Sequence, residues 1–416
     1  MKIKLLSILV GVGLALSSTQ PALAQAEPIK IALCYDLTKS YPFITLPESQ
    51  AAFDYAKLLN KKGGIEGHPI EILLQDHGNE AHRAIECYEK MKGMGAVAFD
   101  FLSTPVSKSM LPRLMKDGNV MISAFAGRGD AINGEVFKWV FPIGPTNWGQ
   151  VANDVHYIKT KSNNNLKGVK IAFMYVDSPY GQEPIPVMKT LAEREGFDLQ
   201  LFPFPLPGND QSTAWTRIRQ FNPDWIISWS FSAMHVVAAR EMKRNGIPIS
   251  KYISSNWISE LDIANIGSDA AKGLKRATSV VGGQDHALIQ QILKDLYSKG
   301  EGSGPRERVN VILYNSGLAV YAPIFEGARL AIKQYGWPLT PDKMKRGLES
   351  LRNFDAGGLM APVTVTAKDH GGGGKTRIDM WDGAKWVPQT DWFSAYNDVV
   401  QEIVEKESAE FAKSNP

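Results

Sequence analysis

The sequence predicts an α/β protein made of two similar units, and three observations predict it. Short apolar strands alternate with helices, the pattern of βαβ units and a parallel sheet. The alternation runs through four strands and then restarts near residue 146. The chain is also long enough for two lobes: without its leader about 390 residues remain, against roughly 100–200 for one domain.

The leader comes first. Lys2 and Lys4 precede an uncharged apolar run from Leu5 to Leu16, and small residues stand at Ala22 and Ala24. This is the pattern of a secretory signal peptide over residues 1–24, with cleavage near Ala24 and export to the periplasm. No Cys follows the site, so a lipoprotein is not expected, and no later stretch reaches the length of a membrane span. Strands are expected at 29–35, 68–76, 96–102 and 119–126, with helices at 47–64, 80–95 and 103–118 between them. Gly63-Gly64 stops the first helix, and Ser103-Thr104 with Pro105 starts the third. The second unit has strands at 167–177, 197–206, 223–231 and 250–257, and helices between them. A long helix at 313–336, a charged helix from Pro341, a β-like tail at 361–388 and an exposed terminal helix complete the reading.

Composition excludes several functions. The net charge of +3 is no footprint for nucleic acid. The seven histidines fall at no metal-ligand spacing, and His77 and His82 are read as solvated. No G-x-G-x-x-G follows the first strand, and no G-x-S-x-G elbow is present. The stretch 369–376, with four glycines before Lys375 and Thr376, reads as a flexible turn between two strands rather than a phosphate loop. No cofactor, metal or enzyme chemistry is therefore expected. Cys34 lies on a predicted strand and Cys87 on a predicted helix, and whether they pair is open. In open α/β sheets ligands bind beyond the carboxyl ends of the strands. The tips there are rich in aromatics and hydroxyls, and the start of the helix after Ser103-Thr104 offers backbone N–H groups to an anion.

Several stretches resemble the solute-binding proteins of the leucine/isoleucine/valine type, which serve ABC importers for hydrophobic amino acids and amides. Asn60, Gly63, Gly64, Ile65, Gly67 and Asp76 match its first-lobe marker, and residues 177–183 its second-lobe tyrosine tip. The resemblance runs from about Ile29 to Trp386. It implies the type I periplasmic binding protein fold: two Rossmann-like α/β lobes, joined by three crossovers, that close on a ligand. It would place the first lobe at 28–144 plus 277–357, the second at 145–276 plus 358–392, and a C-terminal helix at 393–416. It implies a small-molecule ligand, an ABC permease and its cytoplasmic ATPase as partners, and a monomer.

The resemblance also suggests site residues. Ser103, Thr104 or Ser107 would hold a carboxylate. Ser123, Phe125 and Ala126 fall on a second tip, where Gly127 replaces the family's threonine. Tyr180 keeps the second-lobe tyrosine and Phe231 a further aromatic. Tyr41, Phe43 and Trp257 would add apolar faces, and Arg128 a carboxylate fork. The acid that pairs with an amino acid's ammonium falls on Asn256. An unpaired buried ammonium is costly, so the expected ligand is an aromatic or aryl-alkyl carboxylate without that group. Alternatives are a hydrophobic amino acid with Glu260 as its partner, an amide or urea-like ligand at Asn256, and a ligand-sensing domain.

Overall fold

The computed structural model describes residues 26–123 and 128–414, so the expected leader lies outside the described residues. The first sheet has the order β2-β1-β3-β4-β5 and is parallel throughout. Its strands are β1 (Ile29–Tyr35), β2 (Ile70–Asp76), β3 (Ala98–Asp100), β4 (Val120–Ile122) and β5 (Val140–Phe141). Between them run α1 (Pro42–Lys61), α2 (Ala81–Gly93) and α3 (Thr104–Asp117). Such strands are buried on both faces, which is why β1, β3 and β4 read as near-continuous apolar runs, interrupted by Lys30 and ended by Asp100.

The second unit starts with α4 (Asn147–Lys161) and β6 (Lys170–Val176). It continues through α5 (Pro179–Gln182), α6 (Ile185–Glu195), β7 (Asp198–Phe204), α7 (Ser212–Phe221), β8 (Trp225–Trp229) and α8 (Ala233–Arg244). Then come β9 (Tyr252–Ser254), α9 (Glu260–Ile266) and β10 (Lys275–Thr278). The chain returns to the first unit with α10 (Ala287–Asp295) and α11 (Ile312–Tyr335), which pack on α1, and with α12 (Pro341–Leu348), which packs on α11. A third crossing adds β11 (Arg377–Trp381) and β12 (Trp386–Pro388) to the second sheet, whose order is β12-β11-β10-β9-β8-β6-β7. The last two strands are antiparallel, the rest parallel. Two α/β lobes joined by three crossovers result. Among the described residues no helix is long and apolar enough to cross a membrane.

Three local expectations need correction. Helix α1 starts at Pro42 rather than 47, because the Asp36 carboxylate gathers the amides of Thr38, Lys39, Ser40 and Tyr41 and sets Pro42 at the first helical position. The glycine stretch 371–374 leads into β11, but no strand precedes it in 361–368. The C-terminal helix α13 (Asn397–Ser414) is not exposed on all sides. Val399, Val400, Ile403 and Val404 bury one stripe of it, against α4, α6 and the turn at Gly129–Ile132. The Glu and Lys residues of its outer face obscure that stripe in the sequence. Cys34 on β1 and Cys87 on α2 form a disulfide, with their Cα atoms 6.0 Å apart.

Candidate ligand site between the lobes

The first-lobe tip is the loop from β3 into α3. Leu102 sits there at φ 38°, a region that costs a branched residue energy. Three neighbours hold the strained turn. The Asp100 carboxylate accepts from Leu102 N–H at 3.1 Å. His77 lies 3.0 Å from the Phe101 carbonyl through Nε2, while its Nδ1 accepts from Asn79 N–H. Asn79 in turn accepts from the Ser103 hydroxyl at 2.6 Å. His77 is thus fully buried rather than solvated as its polar surroundings suggest, and burial lowers its pKa. His82, by contrast, is exposed.

Ser103 is the N-cap of α3 and accepts from Val106 N–H, while its carbonyl takes Ser107 N–H. Pro105 has no N–H to offer. The donors that the cap does not use are therefore the N–H and hydroxyl of Thr104 and the hydroxyl of Ser107. Ser107 Oγ is buried and has no hydrogen-bond partner among the described residues. Ser123 is buried at the end of β4, its N–H on the Phe141 carbonyl. Phe125, Ala126 and Gly127 lie outside the described residues.

The second-lobe tips are tied to one another. Ser255 donates its hydroxyl to the Ser230 carbonyl at 2.6 Å, and Ser232 N–H reaches the Trp257 carbonyl. Ser232 holds φ 49°, a second non-glycine residue in the left-handed region at a strand tip. Tyr180 follows the N-cap Ser178 of α5. Burial raises its pKa, so it stays a neutral hydroxyl, and Ser255 is near enough to temper that shift. Even so, Tyr180 Oη has no partner in hydrogen-bonding geometry among the described residues. The same holds for Asn256 Oδ1 and Trp229 Nε1. Buried polar atoms are normally paired, and unpaired ones that gather at strand tips suit a ligand.

Aromatic rings bridge the two lobes. Phe43 and Phe231 are stacked, with centroids 5.2 Å apart and planes 3° apart. Tyr41 lies 5.6 Å and Tyr180 6.0 Å from the Phe231 ring, and Trp229 stacks on Tyr180 at 6.3 Å. The structure thus gathers Tyr41, Phe43, Tyr180 and Phe231 from distant parts of the chain. Asn256 and Trp257 are buried just beyond β9.

Two residues are engaged elsewhere. Arg128 lies between the rings of Phe137 and Phe411, at 4.7 and 4.6 Å, and pairs with Asp130 at 2.9 Å. Glu260, at the start of α9, accepts from Ile312 N–H at the head of α11 at 2.9 Å, and its other oxygen lies 3.7 Å from the fully buried Arg276. Both carboxylate oxygens thus face protein groups. Among the described residues no group of three His, Cys, Asp or Glu side chains could hold a metal.

A family model described as periplasmic binding protein matches residues 28–385. The chain belongs to the periplasmic binding proteins. No curated relative matches it. Among solved structures, this binding protein is similar to an ABC transporter permease from the Pseudomonas fluorescens group. The two are 30% identical, with a TM-score of 0.85 over 93% of this chain and 97% of that one. A branched chain amino acid ABC transporter from Thermus thermophilus with bound valine is 18% identical, with a TM-score of 0.79 over 91% and 99% of the two chains. An ABC transporter solute-binding protein from R. palustris in complex with benzoate is 15% identical, with a TM-score of 0.70 over 89% and 98%. These last two share the fold with the binding protein at very different ligands.

Sequence reasoning left out the groups that hold the tips in place. Asp36, His77, Asn79 and Asp100 touch the tip loops of the binding protein rather than the cleft. The signal for Asp36 and Asp100 was present: each follows or ends an apolar strand. For His77 and Asn79 the polar sequence around them hid their burial.

Proposed function

We propose that this periplasmic binding protein of an ABC transporter captures an aromatic or aryl-alkyl carboxylate that carries no α-ammonium group. One observation carries the reading: neither position expected to pair with an ammonium offers a free carboxylate. Asn256 stands where the acid would be expected, and Glu260 faces Arg276 and the head of α11. The ligand carboxylate would meet Thr104 and Ser107 at the start of α3, where the helix dipole favours an anion. Its ring would lie against Tyr180, Phe231 and Trp257. The lobes would close over it, and the loaded protein, a monomer freed of its leader near Ala24, would deliver it to the permease and its ATPase.

Asn256 Oδ1 favours a second reading. It is a buried acceptor without a partner, so an amide or urea-like ligand with an N–H at that end would also be held. Valine and benzoate in the two neighbours leave the choice to the side chains. Calorimetric titration and thermal shift with benzoate, cinnamate, benzamide, urea and leucine test it, since a bound ligand raises the melting temperature by mass action. Benzoate or cinnamate should bind and leucine should not. Binding of leucine alone would sink the first reading, and binding of benzamide or urea alone would put the second in its place.

A further inference from the structure

The cleft has a second compartment at its mouth. Its walls come from both lobes: Pro42 and Phe43 at the start of α1, and Leu206, Pro207, Phe231 and Met234 on the segments after β7 and β8. The recess holds about 420 Å³. Phe43 and Phe231 belong to the inner ring cluster as well, so one aromatic pair separates the two compartments. At 5.2 Å the pair cannot admit a third ring between its faces, which needs about 7 Å, twice a carbon contact of about 3.5 Å. Leu206 is 51% exposed, one of two large apolar side chains more than half exposed among the described residues. A single exposed leucine means little, but this one lines a recess with two phenylalanines, a methionine and two prolines. Lys39 is the one charged residue lining it, and its ammonium pairs with Glu80. The recess therefore offers apolar contact and little to recognise a charge.

We propose that this outer recess is a subsite for an apolar extension of the ligand, an alkyl chain carried on the ring of the aromatic carboxylate. The proposal rests on the reading of the inner site given above. The occupant is part of the ligand rather than a partner protein, because both lobes supply the walls and closure assembles them. The walls also converge on the pair that seals the inner site. An extended ligand would part Phe43 from Phe231 and lie across both, next to Leu206 and Met234.

The test is a calorimetric comparison of two series on the mature protein. One is benzoate, 4-ethylbenzoate and 4-butylbenzoate; the other is the matching benzyl alcohols, which lack the carboxylate. Affinity should rise about two- to fourfold per added methylene in both series, as burial of apolar surface requires. Leu206→Ser, at an exposed position that the fold does not need, should remove much of that gain and leave benzoate unchanged; Leu206→Met should restore it. A flat dependence on length, or a serine effect equal for all members, overturns the proposal. So does a Leu206→Ser variant that binds every ligand as before yet fails to support uptake through the permease, which would assign the recess to that partner. If benzoate binds and length adds nothing, the inner reading survives and this one falls. If only the alcohols bind, with a gain in length, the recess survives and the anion reading of α3 falls. If no member of either series binds, both fall.

Discussion

Tyr180 shows what an unpaired buried group means for a binding protein. Its hydroxyl has no hydrogen-bond partner among the described residues, and a group of this kind costs about 1–3 kcal/mol. Tyr180→Phe should therefore leave the melting temperature of the empty protein unchanged or higher. Affinity for the ligand should fall about 5- to 30-fold, the equivalent of about 1–2 kcal/mol. Thermal denaturation and titration of the same preparation separate the two effects; a large loss of stability with unchanged affinity would make Tyr180 a packing residue instead. Tyr180 was legible because a short motif marks its loop, and Asn256 because an acid is missing there. Arg128 was not. Its position past a strand suggested a carboxylate fork, but one of its two aromatic neighbours, Phe411, lies on the last helix, and such a pairing leaves no trace in local sequence. Arg276 was not legible as the partner of Glu260 either, because it stands on the following strand, β10, where nothing in the local sequence marks the pairing.

At the scale of elements, α3 and α5 do more than present hydroxyls. Glu183, just beyond α5, is almost buried and reaches across the cleft. It receives Lys108 Nζ of α3 at 2.8 Å and Gly129 N–H at 2.9 Å. Tyr180 stands three residues before it, so the loop proposed to meet the ligand also carries a cross-lobe contact. Glu183→Gln should raise the ligand dissociation rate about 3- to 10-fold and leave the association rate nearly unchanged, because the ion pair ties the two lobes together and would resist their opening. Stopped-flow fluorescence measures both rates. The difference between parent and variant should shrink at 1 M salt, where the Debye length is about 3 Å. A slower association with unaltered dissociation would rule out this role. Long apolar strands and helices with glycine stops were readable from the sequence. The two-residue β5 and four-residue β10 were not, since neither stands out as an apolar run bounded by turn residues. Helix α9 also escaped, although Ser259 and Asp262 form a capping box at its start.

The molecule as a whole carries several carboxyl groups away from water. Asp100 accepts from the hydroxyls of Tyr35 and Tyr321, with the Glu48 carboxyl close by. Burial nevertheless raises its pKa from 3.8 to about 6. Burial likewise raises Asp130 to about 6, with Arg128 opposing and Glu183 adding to the rise, and pushes Glu48 well up. The sign follows from proton binding. Between about pH 4 and 6 the folded protein keeps protons at Asp100 and Asp130 that the unfolded chain has lost, so these groups lower stability as pH rises through that window. Asp100→Asn should remove its share, on the order of 3 kcal/mol. Urea denaturation at pH 4, 5, 6 and 7 should show the variant gaining on the parent up to about pH 6 and level beyond. Parallel profiles would show that Asp100 does not titrate in this range.

Helix α13 touches the Gly129–Ile132 turn beside β5 on one side and α4 and α6 on the other. Phe411 sits by Arg128, Ser408 accepts from Asn133, and Asp398 pairs with Arg194. The last helix thus works as a splint laid over the joint. A helix fastened to both lobes on one side would favour rotation about that side over other movements of the three crossovers. The work a ligand does on closing would then be directed mainly along that one path.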